Sequence, residues 1–162
     1  MLTDCTYESL SGTSTARDFV EFPSQVMENW CYEPEALALF AKHYETGEII
    51  PQDYVEKIKE SASFLEGMAT LRQLSFGVLD MEWHSKNPIE IINVKEFETI
   101  SFKGTQLYPD IKENCMSTSF SHIFQGGYSS GYYSYKWAEV LDADAFSLFL
   151  EKGIFDKETA LN

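Results

Sequence analysis

The chain has 162 residues, which fits one domain, and it carries a formal charge of −14 at pH 7. Its 44% hydrophobic and 15% aromatic content is typical of a globular protein and excludes the disordered class. The acidic balance argues against nucleic acid and against an anionic membrane as partners, because both present negative charge that binds Lys and Arg.

The cysteines and the apolar runs indicate a reducing, aqueous setting. Cys5, Cys31 and Cys115 are odd in number and far apart, with no C-x-x-C pair, which favours reduced thiols over a disulfide framework. No apolar run approaches the roughly 20 residues that a membrane span needs. We expect a cytoplasmic protein, and a periplasmic or exported parent stays open because the true start of the protein is not visible.

The first predicted helix lies within residues 15–30. Thr15 followed by Asp18 resembles an N-cap with an acidic residue three positions later. Pro23 removes a hydrogen bond inside a helix, so the helix either starts near Phe22 or bends at the proline. An apolar stripe at helical spacing follows one side: Phe19, Phe22, Val26 and Trp30.

Two further helical regions fill the middle of the chain. Residues 33–44 predict a helix that ends at Gly47, because glycine commonly follows the last helical turn. Residues 52–84 carry a long helical pattern with Gly67 and Gly77 inside it. These glycines predict a break or two helices rather than one rod.

The last third is predicted to be rich in loops and then helical. Residues 87–100 predict a turn and a short helix, and the part of the chain just before Gly127 predicts a short extended segment. A helix is predicted from Gly127 to about Lys152, and Asp156 resembles the N-cap of a terminal helix. Strand signals are weak throughout, so the predicted fold class is mainly α.

The two ends of the sequence suggest a piece of a longer protein. The helix after Asp156 would hold only about two turns, which is too short to be stable alone. The opening residues begin without a preceding element. We therefore expect residues 1–162 to be one fragment, truncated at both ends.

Glu21 is an acid set among apolar residues. On a helix, four polar side chains at steps of four, four and three would form one face: Arg17, Glu21, Gln25 and Glu28. The ordinary interpretation is the solvated face of an amphipathic helix. The alternative follows from the aromatic residues and Pro23 beside the acid, since a carboxylate held near apolar surface should be paired, hydrogen-bonded or bound to a metal.

A tyrosine-rich stretch follows a histidine and two glycines. The phenols lie at i, i+4 and i+7, so the spacing predicts one shared helix face: Tyr128, Tyr132 and Tyr135. His122 precedes the pair Gly126 and Gly127. Core packing is the ordinary interpretation of such a stripe. Buried phenols need partners, however, so the same residues also describe a wall of hydrogen-bond donors facing a ligand.

No complete metal site is visible in the sequence. His43, His84 and His122 are widely separated, and none begins an H-E-x-x-H pair of helical ligands. A nucleophile elbow and a phosphate-binding glycine loop are also absent.

Two stretches resemble the thimet oligopeptidase family of zinc metallopeptidases. SGTSTARDFVEFPSQVMENW (residues 11–30) is similar to the segment after that family's zinc motif, and FSHIFQGGYSSGYYSYKW (120–137) is similar to its tyrosine-rich substrate loop and helix. Residues 41–51 and 78–84 also resemble the family, so the likeness covers nearly the whole chain. The form SHIFxGGY is most similar to the peptidyl-dipeptidase (dipeptidyl carboxypeptidase) branch.

The resemblance implies the helical part of a zincin-type catalytic domain. The match at D-F-V-E implies that Glu21 is the third protein ligand of one Zn²⁺ per full-length parent. The chain departs from the family in lacking the H-E-x-x-H helix, which is expected shortly before Met1 and would supply two ligands and the general base. By spacing, Gln25 or Glu28 would accept hydrogen bonds that orient Glu21 or a zinc-bound histidine.

The resemblance also implies roles for the second stretch. Tyr135 and His122 would donate hydrogen bonds to the oxyanion of a tetrahedral intermediate, where such donors contribute roughly 3 to 4 kcal/mol. Tyr128 and Tyr132 would meet the peptide backbone or its C-terminal carboxylate. The glycines would let the loop swing as substrate enters: Gly126, Gly127 and Gly131.

The expected function is therefore zinc-dependent hydrolysis of short peptides, with release of C-terminal dipeptides. Three alternatives stay open: an oligopeptidase that cuts internally, a non-catalytic helical peptide-binding module, and a structural helical domain. The expected partners are short peptides, with no nucleic acid and no membrane. The fragment alone is expected to be inactive, to hold no stoichiometric zinc, and to self-associate through exposed apolar surface.

Overall fold

A computed structural model describes residues 3–161, and these divide into two units. The first unit contains residues 3–20 and Leu65–Lys136, and the second contains Glu21–Phe64 and residues 137–161. The α-helices of the described residues are, in chain order, α1 Phe22–Glu28, α2 Pro34–Phe40, α3 Gln52–Ala62, α4 Glu66–Ser85, α5 Val94–Phe102, α6 Met116–Ser119, α7 Ser134–Lys152 and α8 Lys157–Leu161. Short 3₁₀ segments occupy Glu8–Leu10, Asn29–Tyr32, Pro88–Glu90 and Ser121–Ile123.

The mainly α prediction is confirmed. Residues 3–161 form no strand, and one isolated bridge joins Lys42 to Ile49. Within the same range, no helix has both the length and the apolar character needed to cross a bilayer. The three cysteines are free thiols, as predicted.

Helices α4, α5 and α6 build the first unit. Its core is formed by Phe76, Leu79, Ile123 and Tyr132. At its edge the indole of Trp83 packs on Phe97 with 4.5 Å between ring centroids and donates a hydrogen bond of 3.1 Å to Ser117 Oγ. This apolar core lies directly beneath the tyrosine-rich loop, because Tyr132 belongs to both.

A buried carboxylate holds α6 against α5. Glu98 is 2% exposed and accepts hydrogen bonds from the backbone N–H groups of Met116 and Ser117, at 3.0 and 2.6 Å. The Ser117 hydroxyl donates a third bond of 2.8 Å. Burial raises the pKa of Glu98, but the bonds from Ser117 and Met116 outweigh it, so the pKa is lowered overall.

The second unit is built around an indole. Trp30 meets Phe146 and Phe149 edge to face, with ring centroids 4.9 and 4.8 Å apart. Its Nε1–H donates a hydrogen bond of 2.8 Å to the carbonyl of Ile154, a residue 124 positions later. At the end of this unit Asp156 accepts a bond of 2.7 Å from the Thr159 N–H, which confirms the predicted cap of α8.

The helix boundaries correct several predictions in the first half of the chain. Helix α1 starts at Phe22 with Pro23 in its first turn, so the first alternative for the proline is confirmed. Arg17 and Glu21 therefore precede the helix, and the prediction of one four-residue polar helix face was wrong. Helix α2 ends at Phe40 rather than near residue 44, because the chain turns back to pair Lys42 with Ile49.

Two helices do occupy residues 52–84, although the break is not at a glycine. The chain turns at residues 63–65, where Leu65 has φ of 57°, and both Gly67 and Gly77 lie inside α4. The short extended segment predicted before Gly127 was wrong, since this part of the chain forms α6 and the 3₁₀ turn Ser121–Ile123.

Candidate functional site

The predicted histidine and tyrosines meet in the first unit. The hydroxyl of Tyr135 lies 3.1 Å from Nε2 of His122. The Tyr128 ring stacks on Tyr135 at 5.4 Å with an interplanar angle of 11°, and it stands edge-on to His122 at 4.5 Å. Tyr132 completes the group, 5.1 Å from the Tyr135 ring. We call these four residues the tyrosine–histidine cluster.

The backbone that carries the cluster differs from the predicted helix. Helix α7 starts only at Ser134, so Tyr135 alone is helical, and Tyr128 and Tyr132 lie in the preceding turns. The prediction that three phenols share one helix face was therefore wrong. Successive turns bring the rings together instead, through bonds from Gly131 N to the Tyr128 carbonyl and from Tyr135 N to the Tyr132 carbonyl.

Tyr132 is the most buried member of the cluster, at 9% exposure. Its hydroxyl donates a hydrogen bond of 2.9 Å to Oε1 of Gln73 on α4. Burial raises the pKa of the Tyr132 phenol, and the nearby Arg72 charge opposes this only in part. The phenol is thus a neutral donor at physiological pH, and a ligand would have to compete with Gln73 for it.

Arg17 covers the outer side of Tyr128. Its guanidinium carbon lies 4.6 Å from the centre of the Tyr128 ring, within the range of a cation–π contact. A Cβ on Gly127 would lie 2.6 Å from Arg17 Nη2, and one on Gly131 would lie 3.1 Å from Arg17 Cγ. Gly127 also has φ of 81°. The absence of a side chain at these glycines leaves room for Arg17 beside the loop, while their hinge role stays a prediction.

Asp80 anchors the same loop from α4. It is 1% exposed, and its two carboxylate oxygens accept hydrogen bonds of 2.9 Å from the N–H groups of Ser130 and Tyr132. The Nδ1 atom of His84 lies 2.9 Å from the oxygen that Ser130 also contacts. Sequence reasoning missed both Arg17 and Asp80 as parts of this site. The signal available in the sequence for Asp80 was its position four residues after Phe76, which places an acid on the core-facing side of α4.

Glu21 belongs to the second unit, just before α1. The Ser24 hydroxyl donates a bond of 2.8 Å to its backbone carbonyl and lies 3.4 Å from its carboxylate. Glu21 and Gln25 are half-buried, and Glu28 is exposed. The roles of these three residues stay predictions.

The described residues do not make a zinc site by themselves. No group of three or more His, Cys, Asp or Glu side chains within residues 3–161 is arranged to hold a metal ion. A catalytic zinc site takes three protein ligands, so Glu21 could provide one of them and the others would have to come from elsewhere.

Comparison with known proteins shows the family. Residues 1–161 match the family described as Peptidase family M3, so the chain belongs to that family of zinc metallopeptidases. The predicted family is thereby confirmed.

Several curated relatives match most of the chain. It is 50% identical over 143 residues to organellar oligopeptidase A of Arabidopsis thaliana, covering 86% of this chain and 18% of the relative. It is 45% identical over 161 residues to oligopeptidase A of Escherichia coli, covering 98% of this chain and 24% of the relative. Dipeptidyl carboxypeptidase of Escherichia coli is 38% identical over 157 residues, covering 96% and 23%. The chain therefore spans about a fifth to a quarter of the relatives' length.

Proposed function

We propose that this chain is part of a zinc-dependent oligopeptidase that cuts internally in short peptides. The observation that carries the proposal is the contact between His122 and Tyr135 inside a cluster of phenols, in a chain of family M3. The identity of 45% to an oligopeptidase A, against 38% to a dipeptidyl carboxypeptidase, favours internal cleavage over the dipeptide release that the SHIFxGGY motif suggested.

Tyr135 and His122 are the proposed donors to the oxyanion. Peptide hydrolysis passes through a tetrahedral intermediate whose oxygen gains negative charge, and preorganised donors stabilise that charge. The two groups lie 3.1 Å apart, so an oxygen placed beside them is within reach of the Tyr135 O–H and, in the tautomer that carries hydrogen on Nε2, of His122 as well. A zinc ion, when bound, polarises the scissile carbonyl and activates water. Glu21 is proposed as one of its ligands, oriented with help from Gln25 or Glu28.

Tyr128 and Tyr132 are the proposed peptide contacts. Phenols combine a flat apolar face with a hydrogen-bonding end, so they can pack on a peptide and bind its backbone or its C-terminal carboxylate. The loop through Gly126 and Gly127 is proposed to move as a peptide enters. The compartment proposed for the parent is the cytoplasm.

Release of C-terminal dipeptides is the second candidate. It is supported by the SHIFxGGY motif and by the 38% identity to a dipeptidyl carboxypeptidase. The two activities differ in what they require of the substrate's C terminus. A dipeptidyl carboxypeptidase binds a free C-terminal carboxylate, and an internal peptidase does not need one.

The test is cleavage of one short peptide, prepared with a free and with an amidated C terminus, by the full-length parent. The expected result is internal cleavage of both forms at similar kcat/KM, lost on chelation and restored by zinc. Cleavage of the free form alone, two residues from its end, would establish the second candidate instead. If the zinc-loaded parent binds both peptides and hydrolyses neither, the proposed peptidase activity is wrong and the chain belongs to a peptide-binding module.

A further inference from the structure

Asp80 is a charge buried in an otherwise apolar stretch of α4. Its neighbour Leu79 is fully buried in the core of the first unit, and Asp80 itself is 1% exposed. Burying a carboxylate is costly unless every lone pair that faces the protein is matched by a donor. An apolar side chain would avoid that cost, so the aspartate indicates a requirement other than packing.

The partners of Asp80 on the tyrosine loop are two backbone amides, and its third contact is Nδ1 of His84 on the same helix, 2.9 Å away. Ser130 N–H and Tyr132 N–H each donate to a different carboxylate oxygen at 2.9 Å. Gly131 lies between them, so the carboxylate binds both ends of a three-residue turn. Helix α4 is thereby joined to a segment 50 and 52 residues further along the chain.

The bound turn has an unfavourable backbone conformation. Ser130 has φ of 58°, in the left-handed region that residues with a Cβ seldom occupy. Such a conformation persists when surrounding contacts hold it. The Asp80 carboxylate supplies contacts of this kind, directly to the amide of Ser130 and to the amide two residues later.

The turn determines how the tyrosine rings of the tyrosine–histidine cluster are oriented. It starts after Tyr128, whose carbonyl accepts the Gly131 N–H at 2.8 Å, and its last residue is Tyr132. The Ser134 N–H then bonds the Gly131 carbonyl at 3.1 Å as α7 begins, and Tyr135 is the second residue of that helix. A shift of the turn would therefore displace Tyr128 and Tyr135 together, and with them the contact to His122.

We propose that Asp80 is a positioning residue for peptide hydrolysis: by binding the amides of Ser130 and Tyr132, it holds the turn that aligns Tyr135 with His122. This inference rests on the proposed function, because it assigns Asp80 an effect on the reaction through Tyr135. Asp80 itself does not touch substrate.

The experiment is Asp80→Asn in the full-length parent, with two readouts. Asparagine keeps one carbonyl oxygen but sets an NH₂ group against the second amide, so one of the two bonds to the loop is lost. The same change also alters the contact with Nδ1 of His84, which Ser130→Pro leaves in place. Hydrogen exchange measured by mass spectrometry on residues 126–136 should become faster than in the wild type. The kcat for a short peptide should fall by about 10- to 100-fold, while KM changes little, because displacement of a catalytic group by about 1 Å is enough for such a loss.

Two controls separate positioning from loss of stability. Val55→Ala removes methyl groups from a side chain that is 1% exposed on α3, in the other unit, and should lower the melting temperature without changing kcat. Ser130→Pro removes the contact with Asp80 from the loop side. Proline has no N–H to donate, and it cannot adopt a φ near 58°. It should reproduce the faster exchange and the lower kcat even where Asp80→Asn folds poorly.

The possible outcomes are distinct. Unchanged exchange in residues 126–136, or an unchanged kcat beside an active wild type, would overturn the role of Asp80. A loss of kcat equal to that of Val55→Ala at the same loss of melting temperature would also overturn it. A wild-type parent that hydrolyses no peptide would instead overturn the proposed function, whatever the exchange rates are.

Discussion

The hydroxyl of Tyr135 and the Nε2 atom of His122 lie 3.1 Å apart and are brought together by different elements. His122 lies in the 3₁₀ turn Ser121–Ile123, and Tyr135 lies in the first turn of α7. The two rings stand nearly perpendicular, at 81°, and they meet at the hydroxyl of one and the Nε2 atom of the other. The contact places two polar groups side by side on separate elements, as an oxyanion site with preorganised donors would require.

Tyr135→Phe in the full-length parent should lower kcat by about 100-fold and change KM much less, because only the hydroxyl is lost and its proposed role is to donate to the oxyanion of the transition state. Steady-state kinetics on a short peptide measure both constants. Tyr133→Phe is the matched control, since this neighbouring phenol is 50% exposed and should leave both constants unchanged. An unchanged kcat in Tyr135→Phe would remove that residue from the mechanism.

Glu21→Ala in the full-length parent should reduce both the bound zinc and the peptidase activity, because a zinc ion would lose one charged ligand. Metal content by mass spectrometry and activity on the same samples provide the measurement. Glu35→Ala, an exposed acid in the first turn of α2, serves as the control and should change neither. Full activity with normal zinc in Glu21→Ala would refute the ligand assignment.

Gly127→Ala should lower the free energy of unfolding by about 1–2 kcal/mol, because a residue with a Cβ is disfavoured at a φ of 81°. The new methyl group would also displace the Arg17 guanidinium, which lies 2.6 Å from the Cβ position. Urea unfolding measures the change.

Gly104→Ala is the control for Gly127→Ala, since a Cβ there meets open space and φ is not positive. If the arginine contributes, Arg17→Ala combined with Gly127→Ala should cost less than the sum of the single variants. Equal effects of the two glycine variants would contradict the role assigned to the Gly127 backbone.

The bound Glu98 carboxylate predicts a pH dependence of stability. Its pKa is lowered in the folded protein, so its contribution is fully present above the unfolded value, about 4.3, and is lost as the pH falls through the folded value. Urea unfolding between pH 7 and pH 3 should show stability falling with acid. Glu98→Gln should flatten that part of the curve, whereas Glu96→Gln, an exposed acid on the same helix, should not. Parallel curves for Glu98→Gln and the wild type would contradict this account.

Self-association of the 162-residue chain is expected from apolar side chains in the first unit that contact water. Ile89 and Ile92 are 88% and 98% exposed, around the 3₁₀ segment Pro88–Glu90. Sedimentation velocity should show concentration-dependent association, weakened by changing both residues to lysine. A strictly monomeric profile at high concentration would count against the prediction.

Sequence reasoning predicted the elements whose causes are local. Asp156 caps α8, Pro23 lies in the first turn of α1, and two helices fill residues 52–84, because capping and helical periodicity act within a few residues. The boundaries near residues 44 and 134 were missed. Near residue 44 the chain turns back to pair Lys42 with Ile49, and before residue 134 the distant Asp80 holds the turn, so helical periodicity alone does not mark either boundary.

The sequence predicted that His122 and the three tyrosines belong together, but neither the backbone that joins them nor the residues that hold the loop. The spacing of the tyrosines suggested a shared helix face, and the rings do meet, although turns rather than a helix bring two of them there. Asp80 contacts residues 50 and 52 positions away, and Arg17 packs on a loop more than a hundred residues later. Only the folded chain reveals such partners.

The bond from the Trp30 indole to the Ile154 carbonyl has a consequence for biosynthesis. Because these residues are 124 positions apart, the indole gains this acceptor only after Ile154 has been synthesised and has left the ribosome. At a synthesis rate of about 5–20 residues per second, roughly 6–25 s pass between the addition of Trp30 and the addition of its partners Phe146, Phe149 and Ile154. The packing of α1 and of the Trp30 segment is therefore completed well after these residues have been synthesised.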